Sequence, residues 1–273
     1  MDRLQQAIQK ARVERANRQQ ETSTCTVPEP QPVQIQRDEV WTSLPEIKID
    51  HTTVARQRLM SYLGGTEAAP YDMLRTKVLQ QVAAHGWRRV ALTSPYSDSG
   101  KSTSTANLAF SLGRQLELRT VVLDFDLRRM GLAKILKQTG QYNMADVIQG
   151  TVPFHEHAVR HGENVIFGLN HVPARNPSEI LQSRQVIELL EQIEAVYQPD
   201  VILFDTPPLM SSDDSHGFLK NVDCALLLVV AEKTTLDRID LAERQLAELT
   251  SVMGIVLNKC RYSSGAFGYE YGY

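Results

Sequence analysis

A lysine and two hydroxyl residues follow a glycine at the point where an apolar run gives way to a helical pattern. The apolar run is residues 90–92, and apolar residues recur at helical spacing from residue 106. A strand, a tight loop and a helix in this order aim backbone N–H groups and a helix N-terminus at one point, which suits a polyphosphate. In this interpretation Lys101 reaches the β- and γ-phosphates, and the Ser102 hydroxyl joins the shell of a Mg²⁺ ion. The residues expected to bind the nucleotide here are Ser99, Gly100, Lys101, Ser102 and Thr103.

This loop departs from the usual phosphate-binding pattern at three positions. Pro95 stands where the pattern has its first glycine, and Asp98 and Ser99 stand where glycines would let the backbone approach the phosphates closely. Asp98 tolerates a left-handed backbone better than most residues, but its carboxylate would lie near the phosphates. For the loop alone, the alternative interpretation is a helix N-terminus capped by Ser99 beside a solvated lysine.

Two further apolar runs end in aspartate. Asp124 and Asp126 close one run and, being two residues apart in an extended stretch, share a side of the chain. Asp205 follows residues 201–204, and four apolar residues before an aspartate have the form of a Walker B strand, whose carboxylate holds Mg²⁺ directly or through water. Three such carboxylates after a phosphate loop predict a Mg-nucleotide site.

The elements that must position these residues alternate between strand and helix patterns. Besides the first strand, Val-, Ile- and Leu-rich runs predict strands at residues 120–124, 164–169, 201–204, 224–230 and 254–257. Helices are predicted at residues 57–63, 71–81, 143–149, 178–197, 213–219 and 235–249. The alternation predicts an α/β fold of the P-loop NTPase type, with a mostly parallel sheet, helices on both faces and ligands at the carboxyl ends of the strands.

Three regions of the chain differ in composition. Residues 1–50 are predicted to form an N-terminal helix and a flexible linker, because residues 1–20 carry only a thin apolar stripe and residues 21–49 are rich in Pro, Gln, Thr and Glu. Residues 51–260 are predicted to form the nucleotide-binding domain, and residues 261–273 a flexible tail. Exposed tyrosines between glycines are suited to accept phosphate, and an aromatic-rich end without any reaction is the alternative. The tail tyrosines are Tyr262, Tyr269, Tyr271 and Tyr273.

Composition limits the classes of function. A net charge of -3 offers no basic surface for nucleic acid, so we expect no DNA or RNA partner. The longest apolar run, residues 224–231, is too short to cross a bilayer, and three scattered cysteines indicate free thiols in a reducing compartment, which together predict a cytoplasmic protein. His155, His157 and His161 suggest a metal site, but no cysteine or helical histidine spacing accompanies them, so solvated loop histidines are the preferred interpretation.

The motifs together resemble those of the bacterial tyrosine kinases (BY-kinases) of polysaccharide biosynthesis and export. The resemblance rests on GKST at residues 100–103, LDFDLRR at residues 123–129 as a Walker A′ segment, and FDTPPL at residues 204–209. The segments YDMLRTKVL at 71–79, NPSEIL at 176–181 and GIVLNK at 254–259 are also similar to family segments. The likeness covers residues 67–273.

This resemblance implies an ATP- and Mg²⁺-dependent protein-tyrosine autokinase that phosphorylates its own C-terminal tyrosine cluster. It implies that Asp126 accepts the proton of the attacking hydroxyl and that Asp124 and Asp205 hold Mg²⁺. It implies that Asn258 lies near the adenine and that Arg128 steadies phosphate charge. It further implies a homo-oligomeric ring, a separate membrane-embedded chain-length or export activator, and recruitment to the inner face of the cell membrane.

Departures from the family pattern leave a second function open. The family's oligomer motif, a glutamate and two arginines at intervals of three, is represented here by Ala69, Asp72 and Arg75. Together with the atypical phosphate loop, this keeps as an alternative a catalytically weak P-loop ATPase that acts as a nucleotide-switched regulator of a membrane polysaccharide export protein. A MinD/ParA-like sandwich dimer is disfavoured, because Tyr96 stands where those ATPases carry an additional lysine.

Overall fold

The structure, a computed structural model, describes residues 38–211 and 213–261, which are built around a seven-stranded sheet. The order of strands across the sheet is β3-β4-β2-β5-β1-β6-β7, and every neighbouring pair is parallel except the antiparallel pair β3 and β4. The mostly parallel sheet predicted from the sequence is thereby confirmed. The strands are β1 (Arg89–Thr93), β2 (Thr120–Asp124), β3 (Val159–His161), β4 (Val165–Gly168), β5 (Val201–Asp205), β6 (Cys224–Val230) and β7 (Ser251–Asn258).

Helices connect the strands and cover both faces of the sheet. Successive residues of the central strands point to opposite faces, so Ala91 packs in one hydrophobic cluster while Val90 and Leu92 pack in the other. Two burial faces explain why these strands are apolar throughout rather than at every second position. The helices are α1 (His51–Arg56), α2 (Met60–Leu63), α3 (Ala69–His85), α4 (Lys101–Gly113), α5 (Gly131–Leu136), α6 (Met144–Ile148), α7 (Phe154–His157), α8 (Pro177–Leu181), α9 (Arg184–Tyr197), α10 (Asp214–Phe218) and α11 (Leu236–Ala247).

The linker expected at residues 21–49 ends earlier than the composition suggested. Residues 38–42 are helical, and the side chain of Trp41 is completely buried, with its indole N–H donating to the Tyr197 carbonyl oxygen at 2.8 Å. Farther along, the Ile47 amide donates to the carbonyl oxygen of Arg160 on β3 at 2.7 Å. The expectation of a linker was wrong for residues 38–49. The three apolar residues Trp41, Leu44 and Ile47 are all buried in the core, but they stand among so many polar residues and prolines that the composition gave no sign of it.

Two predicted helices are interrupted. The helix expected at residues 178–197 is divided into α8 and α9 at Ser183, whose backbone is extended and whose hydroxyl donates to the Ile180 carbonyl oxygen at 2.7 Å. In place of the helix expected at residues 57–63, the structure has two short helices, α1 (His51–Arg56) and α2 (Met60–Leu63). They are separated at Arg58, whose left-handed φ of 56° breaks the helix. A serine or arginine inside an amphipathic pattern gives no local sign of such a break.

Two of the three histidines near residue 157 are not solvated loop residues as expected: His157 and His161 are shielded from solvent, whereas His155 is exposed. His155 and His157 lie in the helical turn α7, where His157 is buried, and burial lowers its pKa. His161 lies on β3 between the rings of Tyr62 and Phe110, at centroid distances of 5.2 and 5.0 Å. The sequence missed α7, β3 and α5 because each is shorter than two turns or four strand residues.

Within residues 38–211 and 213–261, no helix combines the length and the apolar content that crossing a bilayer requires.

Candidate nucleotide site

The phosphate-loop candidate and the candidate carboxylates meet at the carboxyl ends of three adjacent strands. β1 lies between β5 and β6, and β5 lies between β1 and β2. Asp124 and Asp205, the last residues of β2 and β5, are directly opposite each other in the parallel register. The helix α4 starts from the same end of the sheet at Lys101. The fold therefore brings the predicted strand-end residues together.

The loop before α4 has the backbone that its sequence requires. Asp98 has a φ of 60° and Gly100 a φ of 87°, so Asp98 takes the left-handed backbone that its residue type tolerates. A Cβ atom on Gly100 would lie 2.4 Å from the amide nitrogen of Asn258, which makes glycine necessary for space as well as for φ. That amide donates to the Ser99 carbonyl oxygen at 2.9 Å, and the Lys259 ammonium donates to the Asp98 carbonyl oxygen at 2.6 Å. The end of β7 thus braces the loop.

The alternative of a capped helix with a solvated lysine is wrong for this loop. The Ser99 hydroxyl donates to the Tyr96 carbonyl oxygen at 2.8 Å, and no side chain caps the first turn of α4. Lys101 is buried, and its Nζ donates to the Ser94 hydroxyl oxygen at 3.1 Å. Burial lowers the pKa of Lys101, while the nearby carboxylates of Asp205 and Asp126 act in the opposite direction. A buried ammonium bonded to a neutral hydroxyl is well placed to bind an anion.

Asp124 and Asp205 carry the main electrostatic strain of the site. Both are completely buried, and the Oδ2 atom of each has no hydrogen-bond partner. Burial, followed by the charges of Asp205 and Asp126, raises the pKa of Asp124 well above its ordinary value. Burial likewise raises the pKa of Asp205 to about 6, although the Lys101 charge and a hydrogen bond from Ser102 counteract it. Two unsatisfied carboxylate oxygens on adjacent strands have the chemistry of a divalent-cation site.

Gly131, which the sequence did not single out, keeps space beside these oxygens. A Cβ atom there would lie 2.4 Å from the Ser102 hydroxyl oxygen and 3.5 Å from Oδ2 of Asp205. The first residue of α5 must therefore be glycine for the Ser102 and Asp205 oxygens to share a ligand. The described residues hold no cluster of three or more His, Cys, Asp or Glu side chains suited to a metal ion, so Mg²⁺ here would complete its shell with Ser102, water and phosphate oxygens. The residues present fit Mg²⁺ in this sense.

Asp126 differs from the other two carboxylates in its surroundings. It is mostly buried, and burial raises its pKa while the positive charges of Lys101 and Arg129 lower it. Its backbone N–H lies 3.3 Å from Oδ1 of Asp124, so the turn after β2 places the two aspartates side by side. A carboxylate with a raised pKa next to a phosphate-binding lysine is suited to accept a proton.

A second residue that the sequence missed, Asn170, fixes the turn carrying these aspartates. Its side-chain amide donates to the Asp124 carbonyl oxygen at 2.8 Å and to the Asp126 carbonyl oxygen at 3.3 Å. Its Oδ1 accepts from the Met144 backbone N–H at 2.9 Å, and the residue is completely buried. The signal was available, because Asn170 is a polar residue directly beyond the predicted strand 164–169, as the aspartates are beyond theirs.

The structure places Arg128 differently from the other candidates. Its guanidinium forms a bidentate pair with buried Asp214, with Nε–Oδ2 and Nη2–Oδ1 distances of 2.5 and 3.0 Å. Its expected contact with phosphate stays a prediction.

Thr103 lies on the first turn of α4 together with Lys101 and Ser102. The tyrosines at 262, 269, 271 and 273 lie outside the described residues.

Comparison with known proteins places the chain in a family. Residues 90–267 match the model of the CobQ/CobB/MinD/ParA nucleotide binding domain. The chain is similar to the tyrosine-protein kinase Ptk of Acinetobacter johnsonii, with 32% identity over 184 residues that cover 65% of this chain and 24% of the relative. It is also similar to the tyrosine-protein kinase YwqD of Bacillus subtilis, with 27% identity over 216 residues that cover 74% of this chain and 84% of YwqD.

Among solved structures, the kinase domain of VpsO superimposes with a TM-score of 0.62 and 28% identity, covering 71% of this chain and 94% of that domain. The length of this chain differs from that of several relatives. It spans only about a quarter of the curated relatives Ptk and EpsB of Ralstonia nicotianae, with 24% and 26% of their lengths matched.

Proposed function

This chain belongs to the CobQ/CobB/MinD/ParA family of nucleotide-binding domains, and we propose that it is an ATP-dependent protein-tyrosine kinase. The observation that carries the proposal is the pair of unsatisfied Oδ2 atoms on Asp124 and Asp205 beside buried Lys101, with Asp126 adjoining them. Asp124, Asp205 and Lys101 are suited to bind a Mg-nucleotide. Asp126 is suited to remove a proton from an acceptor hydroxyl. The names of the relatives, which are tyrosine-protein kinases, support the same activity.

In the proposed reaction each residue has a separate task. Lys101 and the N-terminus of α4 bind the β- and γ-phosphates, while Ser102, Asp124 and Asp205 hold Mg²⁺, which supplies positive charge to the phosphate oxygens. The tyrosine hydroxyl has an ordinary pKa near 10, so its proton must leave as the oxygen attacks. The O–H bond breaks as the proton passes to Asp126, and a bond forms between the phenolic oxygen and the γ-phosphorus. The bond between the γ-phosphorus and the oxygen bridging the β- and γ-phosphates breaks, and ADP leaves with that oxygen. Arg128 neutralises phosphate charge after its guanidinium leaves the ion pair with Asp214 and binds the nucleotide phosphates instead.

The acceptors in this proposal are the tyrosines of the C-terminal tail. Tyr262, Tyr269, Tyr271 and Tyr273 follow β7 within fifteen residues of Asn258, which is a reach of about 50 Å for an extended chain. That reach permits transfer within one chain, and the resemblance to BY-kinases favours transfer between neighbours. Asn258 lies beside the nucleotide base in this arrangement.

The kinase regulates exopolysaccharide or capsule biosynthesis in this proposal, at the inner face of the membrane and bound to a membrane-embedded export activator. It forms a homo-oligomer whose contact is not the usual family motif. Asp72 on α3 is already paired within its own chain, with Arg75 at 3.5 Å and with Arg114 of the region after α4. An oligomer contact through α3 would therefore use other side chains or break this network.

A mixing experiment tests the proposal. The donor chain has the four tail tyrosines changed to phenylalanine, and the acceptor chain carries Lys101→Met with its tail intact. After incubation with Mg-ATP, we expect tail phosphate on the acceptor, detected by mass spectrometry, and none when the donor also carries Lys101→Met. Phosphate on the natural chain alone, with none in the mixture, would indicate transfer within one chain. If ATP binds but neither the natural chain nor the mixture gains tail phosphate, the nucleotide-switched regulator is favoured. The atypical loop residues Pro95 and Asp98 would then be features of a catalytically weak site.

A further inference from the structure

The two edges of the sheet are treated differently by the described chain. The β3 edge is covered by residues 45–47, since Glu46 bridges to Arg160 and the Arg160 amide donates to the Pro45 carbonyl oxygen at 2.8 Å. At the other edge, β7 pairs only with β6 among residues 38–211 and 213–261. An eight-residue edge strand presents unpaired N–H and C=O groups outward, and proteins usually cover or blunt such an edge.

The surface beside the β7 edge is apolar. Leu236, at the start of α11, is 82% exposed, and Ile255 and Leu257 on β7 are 49% and 58% exposed. Large apolar side chains that are exposed together next to an open strand edge indicate a binding surface. We call the space between α11 and β7 the β7 groove; its apolar lining residues are Leu236, Ile239, Val252 and Ile255, and its acidic lining residues are Asp240 and Glu243.

The chain that continues from β7 has a sequence that fits this groove. Twelve residues, 262–273, follow the last described residue, Arg261, which pairs with Glu232 at 3.8 Å just before α11. From residue 267 onward the sequence alternates, with Phe267, Tyr269, Tyr271 and Tyr273 at every second position and Gly, Glu and Gly between them. The glycines indicate flexibility for the isolated tail, but an alternation of period two also matches a strand with one aromatic face.

We propose that residues 267–273 add to the outer edge of β7 as an antiparallel strand and place their aromatic side chains in the β7 groove. Seven residues of strand extend about 23 Å, which is close to the length of the eight-residue β7. Residues 259–266 are long enough for the reversal and include the turn-forming run Ser263-Ser264-Gly265. The strand and the edge are therefore matched in length and joined by a suitable loop.

The chemistry of the groove favours tyrosine in particular. The rings cover Leu236 and Ile255, while the phenolic O–H groups can donate to the carboxylates of Glu243 and Asp240, the second of which is also paired with Arg244 at 2.8 Å. In this pairing Glu270 points to the opposite face, away from these two carboxylates. A phosphate on Tyr269 or Tyr271 would instead lie beside two carboxylates and one guanidinium, and the net negative charge there would favour release of the strand. This release rests on the proposed kinase function, whereas the docking itself does not.

Hydrogen exchange of the unphosphorylated chain of residues 1–273, without nucleotide, tests the docking. The comparison chain has Phe267, Tyr269, Tyr271 and Tyr273 changed to serine and is otherwise complete. We expect the amides of residues 251–258 to exchange at least tenfold more slowly in the natural chain, with no dependence on protein concentration. Equal exchange in both chains would overturn the proposal, and protection that increases with concentration would also overturn it, because a second copy would then cover the edge.

A groove variant provides the second arm. Leu236→Glu changes a residue that is 82% exposed, so the fold should be retained, and it places a third carboxylate in the groove. We expect this variant to lose the protection of residues 251–258. The matched control is Leu63→Glu on α2, which is 64% exposed and does not line the groove, and it should keep the protection. Protection that survives Leu236→Glu would show that the tail does not occupy the β7 groove.

Discussion

Asp205 and Asp124 show how one residue type can weaken the fold in order to form a site. Each holds an oxygen in the interior without a hydrogen-bond donor, and the two charges oppose each other across neighbouring strands. An unpaired buried charge is unfavourable for the ligand-free protein, yet it is the arrangement that a divalent cation satisfies. Residues with this conflict are therefore the first place to test the site.

We predict that Asp205→Asn stabilises the ligand-free protein at pH 7.5. The pKa of Asp205 is about 6 in the folded chain against an ordinary 3.8, so the folded state binds more protons than the unfolded state between these values. The free energy of unfolding of the natural chain therefore decreases as the pH rises from 4 to 6 and stays lower above 6, by at most about 3 kcal/mol. Asparagine does not titrate, so the variant lacks this loss of stability.

Urea unfolding at pH 4.5 and pH 7.5 measures this effect. The variant should be more stable than the natural chain at pH 7.5, and the difference should shrink at pH 4.5. Asp237→Asn, a change at an exposed position in the first turn of α11, is the matched control; it loses a favourable charge at the helix N-terminus and should lower stability by less than about 1 kcal/mol. A variant that is less stable than the natural chain at pH 7.5 would contradict the assignment of an unsatisfied carboxylate.

At the scale of elements, two asparagines perform the same structural task at opposite ends of the sheet. Asn170, beyond the carboxyl end of β4, donates to the carbonyl oxygens of Asp124 and Asp126. Asn164, before β4, donates to those of Gly113, Gln115 and Leu118 at 3.1, 2.8 and 2.9 Å. Both fix a turn, but only the first turn carries candidate site residues.

We predict that Asn170→Ala and Asn164→Ala destabilise the fold by similar amounts, about 2–3 kcal/mol, because each leaves buried backbone groups unpaired. Only Asn170→Ala should also weaken Mg-ATP binding, by tenfold or more, since it frees the turn of Asp124 and Asp126. Urea unfolding and titration calorimetry on the two variants check this. Equal effects of both variants on nucleotide affinity would mean that Asn170 acts through overall stability alone.

The sequence predicted the elements whose signal is local and missed those that depend on contacts between distant segments. The bounds of β2 and β6 were predicted to the residue, because continuous apolar runs mark buried strands; the run of β2 stops at Asp124, and that of β6 starts directly after Asp223. Lys101, Asp124 and Asp205 were found from spacing, because strand ends converge in any parallel sheet. Gly131 was not found from the sequence, because the requirement for a residue without a Cβ atom arises only when α5 packs against Ser102 in the folded chain.

For the whole molecule, the segment of residues 38–50 is part of the domain. Trp41 is completely buried; its ring meets that of Tyr197 edge-on at 6.1 Å, and the Arg119 guanidinium lies over its face at 5.0 Å. Composition predicted a linker here because averaging over thirty residues hides three buried side chains. The domain boundary predicted at residue 51 therefore lies too far along the chain.

We predict that Trp41→Ala lowers the free energy of unfolding by about 3–5 kcal/mol, through the cavity it leaves and the loss of its hydrogen bond to Tyr197. Leu63→Ala, at a position that is 64% exposed, is the control and should change stability by less than about 0.5 kcal/mol. Urea unfolding measures both. Equal stability of the two variants would show that residues 38–50 do not contribute to the folded domain.

The most direct test of the proposed activity is the intact mass of the purified chain of residues 1–273 after incubation with Mg-ATP, with the tail peptide sequenced. We predict added phosphate on Tyr262, Tyr269, Tyr271 or Tyr273 in the natural chain, and none in Lys101→Met or when Mg²⁺ is withheld. If the natural chain binds ATP yet its tail stays unmodified, even with the cytoplasmic segment of a membrane activator present, the kinase proposal is contradicted.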